Sequence, residues 1–105
     1  MPTLAKLEAD YQSDLRDRIA DLLPGCLILK NDEQLCPGIP DLVVFWGPHY
    51  AFLEVKPKKP TRASDWRPNQ EWYIESLDEM SFAACIYPEN EGEVLHALQK
   101  AFGAL

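Results

Sequence analysis

No stretch of this chain approaches the roughly 20 consecutive apolar residues that a membrane-spanning helix requires, so no membrane partner is expected. Its three cysteines, Cys26, Cys36 and Cys85, form no CxxC pair, and its two histidines, His49 and His96, lie far apart. Neither a disulfide framework nor a zinc site is therefore expected. An odd number of unpatterned thiols points to a reducing, cytoplasmic compartment. The first residues carry no signal-peptide pattern, because an acidic amphipathic segment follows at once. Positive charge is scarce: 10 Lys and Arg stand against 17 Asp and Glu, a formal net charge of −7. That balance argues against a large non-specific nucleic-acid footprint. Internal repeats, low-complexity tracts and long linkers are missing too, so residues 1–105 are expected to form one domain around one core.

What is present has the make-up of a soluble globular protein, 47% hydrophobic and 26% charged. Leu4, Leu7, Tyr11, Leu15, Ile19 and Leu22 recur at helical spacing, predicting a helix over 3–23 that Pro24-Gly25 stops. Residues 26–30 and 42–46 predict two strands, separated by a polar connection from Asn31 to Gly38. Gly47-Pro48-His49 is a turn and 50–56 a third strand. A basic, proline-bearing loop spans 57–67. Ser64 or Asp65 is positioned to cap a second helix with Pro68 in its first turn, running to about Met80. Residues 82–87 form a fourth strand, and 91–102 a last helix closed by Gly103. The order α-β-β-β-α-β-α gives a four-stranded mixed sheet flanked by helices.

Three charged residues stand out against this pattern. Asp41 enters the second strand in Gly38-Ile39-Pro40-Asp41, and Glu54 lies among Phe52, Leu53 and Val55 in the third. A carboxylate in a strand that must be buried costs free energy unless something compensates it, and a divalent cation does so. Lys56, two residues beyond Glu54, shares its face. Two acids to hold a hard cation and a lysine to hold a water or a phosphate suit the cleavage of a phosphodiester. On a helical wheel at about 100° per residue, the apolar stripe of the first helix spans roughly −60° to +60°, and Glu8 falls near +40° within it. Asp10, Asp14, Asp17 and Asp21 lie on the far side, so Glu8 is the candidate third carboxylate, with Asp14 as fallback. Gln70, one turn before Tyr73, Ile74 and Leu77, leans toward the sheet and is a candidate partner of Lys56 or of a phosphate. A satisfied buried amide explains it equally well.

The hairpin between the two acid-bearing strands decides whether they meet. A two-residue turn at Gly47-Pro48 sets Asp41 opposite Glu54, and a four-residue turn sets it opposite Lys56. A regular three-residue turn pairs it with Val55 and points it away. An even turn, or a bulge restoring the phase, is expected.

Gly38-Ile39-Pro40-Asp41 followed by Glu54-Val55-Lys56 resembles the signature of the PD-(D/E)XK nuclease superfamily. The helix-one glutamate Glu8 and the helix-opening Gln70 make its VRR-NUC and Holliday-junction-resolvase-like group the nearest likeness, in the short stand-alone form of bacteriophages. The resemblance covers roughly residues 4–87. It implies a restriction-endonuclease-like αβββαβ core with one extra C-terminal helix, and an endonuclease acting on DNA, branched or four-way-junction DNA included. It also implies Mg²⁺ or Mn²⁺ held by Asp41, Glu54, Glu8 and the Val55 carbonyl, with Lys56 and Gln70 completing the catalytic set. If phage-encoded, it would work in the host cytoplasm.

The charge distribution fits that reading better than the total does. Lys56, Lys58, Lys59, Arg62 and Arg67 are five of the ten basic residues, gathered in one short stretch. Lys58, Lys59, Arg62 and Arg67 are the candidate nucleic-acid contacts, and such backbone contacts carry affinity without sequence information. Trp66 and Trp72 are candidates for stacking on a base or for packing. Cutting both strands of a duplex would take a homodimer, for which the apolar hairpin tip at Phe45-Trp46 and His49-Tyr50 is a candidate surface, unless it tucks under a helix. Two other classes compete. A non-catalytic nucleic-acid-binding, structural or regulatory phage module on the same fold would bind metal weakly. A small interaction protein whose strand acids pair with lysines would lose stability without Glu54 and gain none from metal.

Overall fold

A computed structural model describes residues 3–105. Helix α1 (Leu4–Leu22) starts at Thr3, whose hydroxyl accepts a hydrogen bond from the Lys6 amide at 3.1 Å, an N-cap of the ordinary kind. Strands β1 (Leu27–Lys30), β2 (Leu42–Trp46) and β3 (His49–Val55) follow, then α2 (Gln70–Met80), β4 (Phe82–Ile86) and α3 (Glu91–Phe102). The strands lie in the order β1-β2-β3-β4, the first two pairings antiparallel and the third parallel. Helix α2 makes the crossover that a parallel pair requires. This is the four-stranded mixed sheet with three helices that the pattern of elements predicts.

Alternation along the strands splits the sheet into two faces. Leu42, Val44, Ala51, Leu53, Val55 and Ile86 point one way and form the core with Leu15, Ile19 and Leu23 of the α1 segment and Val94, Leu95, Leu98 and Phe102 of α3. Tyr11, Arg18 and Glu91 tie these two helices together. Glu91 accepts from the Tyr11 hydroxyl at 3.0 Å and from Arg18 at 2.6 and 2.7 Å. The opposite face carries Glu54, Phe52 and Ala83 and is covered by α2 along β3 and β4.

Several sequence expectations shift. The buried residues of the α1 segment are Gln12, Leu15, Ile19 and Leu23, whereas Leu4, Leu7 and Leu22 are exposed. On the same wheel this stripe lies at roughly 20° to 100°, rotated from the apolar average, and Leu4 and Leu22 at about 0° and Leu7 at about −60° fall outside it. Second, α2 starts neither at Ser64 nor at Asp65. Ala63–Asp65 is a single 3₁₀ turn, and the helix begins at Gln70 after Asn69, which has φ +71°. The Asp65 carboxylate accepts from the Thr61 and Arg62 amides at 2.9 and 3.0 Å, so it caps the loop instead of the long helix. Third, the hairpin tip is occupied within the chain: Trp46 and His49 stack on Phe102 with ring centroids 6.5 and 5.2 Å away. No helix among the described residues is long and apolar enough to cross a membrane.

The connection between β1 and β2 is a folded wall, not a slack loop. Asn31 donates from its side chain to the Pro40 carbonyl at 2.8 Å, the Asp32 carboxylate accepts from the Gln34 amide, and Cys36 meets the Tyr73 hydroxyl at 3.0 Å. Gly38 seals this wall against the start of α2. It has φ +91°, and a Cβ there would meet the Pro68 carbonyl oxygen at 2.3 Å. Gly25 has a similar φ, +85°, but open space around it. Gly25→Ala should thus cost only backbone strain, about 1 kcal/mol, and Gly38→Ala about 2–3 kcal/mol or more. Urea unfolding of the two variants side by side measures the difference; equal losses would mean that the wall does not dock where described.

Candidate active site

The β2–β3 register sets the geometry of the site. Trp46 pairs with His49 and Leu42 with Leu53, which places Asp41 opposite Glu54 across a two-residue turn. Gly47 supplies φ +59° at the first turn position, and Pro48 supplies the fixed negative φ of the second. This is the sign pattern of the II′ turns that match strand twist. The even turn expected from the sequence is the one found.

The two acids are then locked to the backbone and to each other. The Asp41 amide donates to Glu54 Oε1 at 3.2 Å, and Asp41 Oδ2 accepts from the Val55 amide at 2.9 Å. Exposure is 8% for Asp41, 2% for Glu54 and 1% for Gln70. Gln70 donates from Nε2 to Glu54 Oε2 at 2.9 Å, and its Oε1 accepts from Lys56 Nζ at 3.1 Å and from the Arg67 amide at 3.0 Å. That bond pattern fixes the amide orientation. Lys56 Nζ also lies 3.2 Å from Glu54 Oε2, donates to the Asp65 carbonyl at 2.9 Å, and sits 5.4 Å from the Trp66 ring centroid. Trp66 thus holds Lys56 in place, while Trp72 is 63% exposed. Gln70 is both of the things the sequence left open: a satisfied buried amide and the residue that links Glu54 to Lys56.

A cleft of about 200 Å³ opens over this constellation, lined by Glu8, Glu33, Asp41, Glu54, Lys56 and Lys58 among others. Lys59 and Arg67 also line it, and with Lys58 they are exposed at its rim; Arg62 is exposed too but does not line the cleft. Arg62 stands 3.9 Å from Asp65. Glu8 is half-buried in the cleft wall, as its place near the centre of the buried stripe requires; Asp14 is exposed. The acids whose carboxylate oxygens come within 4.8 Å of one another are, however, Glu33, Asp41 and Glu54. Sequence reasoning missed Glu33. It lies in a polar connection with no periodicity to mark it, and only the folding of 31–41 over the sheet end brings it in. All three cysteines are free thiols; Cys85, beside Glu54 on β4, is pushed up to about 12 by burial and then by the Glu54 charge.

Burial dominates the electrostatics. Glu54 is pushed up to about 7, first by burial and next by the Asp41 charge, with Lys56 pulling the other way. Asp41 is raised by burial, opposed by the Val55 amide and by Lys56. Burial and then Asp41 raise Glu8 as well. One lysine thus compensates the buried acids only in part. The oxygen donors match the hard-cation preference of Mg²⁺ or Mn²⁺, and a bound cation would relieve the charge that burial penalises.

Comparison of the chain with protein-family models, with curated proteins and with solved structures gives no match. The functional reading therefore rests on the site itself.

A carboxyl with a raised folded-state pKa holds its proton more tightly folded than unfolded, so its stabilising contribution is full at low pH and fades as pH rises. For Glu54 that window runs from its ordinary 4.5 to about 7, and Asp41 acts in the same direction. The urea midpoint of the metal-free protein should fall across this window, and Glu54→Gln should flatten the fall. A midpoint that rises over the same interval, or a variant with the parent's slope, contradicts the assignment.

Proposed function

We propose that this protein is a metal-dependent endonuclease of the PD-(D/E)XK type that hydrolyses phosphodiester bonds in DNA. The observation that carries this reading is the convergence of Asp41, Glu54 and Lys56. Two buried carboxylates face each other across a hairpin, and a lysine ammonium stands 3.2 Å from one of them at the mouth of a cleft with a basic rim. The order of elements and the buried glutamine bridging Glu54 and Lys56 support it further.

Asp41 and Glu54 would hold Mg²⁺ or Mn²⁺, with Glu8 at the cleft wall and the Val55 carbonyl as further donors. When bound, such a cation acidifies water and neutralises charge that builds on the scissile phosphate. The chain's own residues do the rest. Lys56 has three N–H donors, directed at Glu54, Gln70 and the Asp65 carbonyl, and would exchange one of these contacts for a phosphate oxygen or the attacking water. Gln70 bonds both the Glu54 carboxylate and the Lys56 ammonium and so holds their relative position. Lys58, Lys59 and Arg62 grip the backbone on either side. Their short-range positive field lies on an otherwise acidic body, which limits binding to the immediate surroundings of the site.

One observation favours the competing reading of a non-catalytic binding module. Among the described residues no buried side-chain polar atom lacks a partner, so the network closes without a cation. Activity and metal binding separate the two. Purified protein with Mg²⁺ or Mn²⁺ should cleave at least one member of a panel of duplex, flap, single-stranded and four-way-junction DNA. Asp41→Asn should abolish both cleavage and Mn²⁺ binding. Lys56→Met should keep Mn²⁺ binding while slowing cleavage by about 10²–10⁴-fold. Cutting that survives in Asp41→Asn would assign the activity elsewhere, and a parent that binds no Mn²⁺ would leave the binding module as the better description.

Replacing Lys58 with Gln should weaken binding to all DNA sequences alike and lower the slope of log K against log salt by about 1. A sequence-dependent loss would mean that Lys58 reads bases.

A further inference from the structure

Arg67 was expected to face DNA, yet its guanidinium pairs with the carboxylate of Glu33. Glu33 is the acid whose carboxylate oxygen also lies within 4.8 Å of those of Asp41 and Glu54. One side chain thus stands between two demands, the acid pair on one side and an arginine on the other. A second cleft, running past Lys30 and Gln12, adjoins the first, and both are lined by Glu8, Glu33, Asp41 and Arg67. These four residues form the partition between the clefts, and the Glu33–Arg67 pair is part of it.

Both halves of the pair rest on firm supports. Glu33 is carried by the 31–41 wall, which Gly38 docks against Pro68 and Asn69. Arg67 immediately precedes Pro68, and its amide donates to Gln70 Oε1. The backbones on the two sides are fixed while the side chains between them are long. The Arg67 side chain is 62% exposed and that of Glu33 23%, and an ion pair with one end open to solvent contributes modestly to stability. Rearranging it costs correspondingly little.

We propose that Glu33 and Arg67 act as placeholders for each other's ligand. When the site is loaded, Glu33 joins Asp41 and Glu54 around the divalent cation, and Arg67 passes to a phosphate of the substrate strand. With this part of the partition open, the two clefts become one groove, and the strand extends past the acids toward Lys30. This rests on the metal-dependent nuclease reading of the same site and adds to it a third acid and a phosphate contact that are unmasked together. Removing either partner has opposite consequences for the two ligands, and the exchange of the two residues, which leaves net charge unchanged, separates this from the general field of a lost charge.

The test is a pair of titrations on the full chain: MnCl₂ followed by calorimetry, and a labelled 20-nucleotide DNA in EDTA followed by anisotropy. Glu33→Gln should weaken Mn²⁺ binding by about tenfold or more and tighten DNA binding in EDTA, because Arg67 is freed. Arg67→Gln should tighten Mn²⁺ binding, because Glu33 is freed, and weaken DNA binding. The exchange Glu33→Arg with Arg67→Glu preserves an ion pair between the two loops, so urea unfolding should stay near the parent's. It should nonetheless lose affinity for Mn²⁺, since an arginine then faces the acids. If the parent binds Mn²⁺ but Arg67→Gln leaves that affinity unchanged or lower, or the exchanged protein binds Mn²⁺ like the parent, the placeholder idea fails alone. If the parent binds no Mn²⁺, the nuclease reading fails and takes this inference with it.

Discussion

The structure turns on the reciprocal hydrogen bonds between Asp41 and the Glu54–Val55 segment. The Asp41 amide reaches the Glu54 carboxylate, and the Asp41 carboxylate reaches the Val55 amide. These bonds exist only in one register of the β2–β3 hairpin. A slip of one residue would turn Asp41 to the core face and bury a carboxylate against Leu15 and Ile19. The same register buries Leu42, Val44, Ala51 and Leu53. Hydrophobic burial and the polar site thus select the same alignment, and neither gains at the other's expense.

Around that pair the protein has built a closed set of polar contacts. Gln70 is the member that makes closure possible, since its amide offers a donor to Glu54 and an acceptor to Lys56 and the Arg67 amide at once. Its position at the first turn of α2 ties the acid-bearing face of β3 to the helix that covers that face. The price is a raised Glu54 pKa and a raised Asp41 pKa, because one ammonium does not offset the desolvation of two carboxylates. That shortfall, held in a cleft with a basic rim, is the physical argument behind the proposed cation site.

Much of this was legible beforehand. The mixed sheet, the element order, the even turn and the meeting of Asp41, Glu54, Lys56 and Gln70 follow from alternation and spacing. Those quantities are local, and a strand or a two-residue turn leaves little freedom. Other features were not legible. The buried face of α1 is rotated from its apolar average, with Leu4, Leu7 and Leu22 left exposed, and helical periodicity does not say which part of an apolar stripe a sheet will cover. The start of α2 moved to Gln70 because the Asp65 side chain bonded to Thr61 and Arg62, a loop contact that competes with helix capping.

By itself, then, the sequence determined which residues could be buried together and which charges would be stranded among them, because these depend on periods of two and 3.6 residues. Only the tertiary structure decided that Glu33 joins the acids and that Arg67 pairs with it. Both sit in irregular segments, and their meeting depends on how Gly38 lets the 31–41 wall lie against Pro68. That approach is a long-range packing event, set by sterics between segments about thirty residues apart, and no local pattern encodes it.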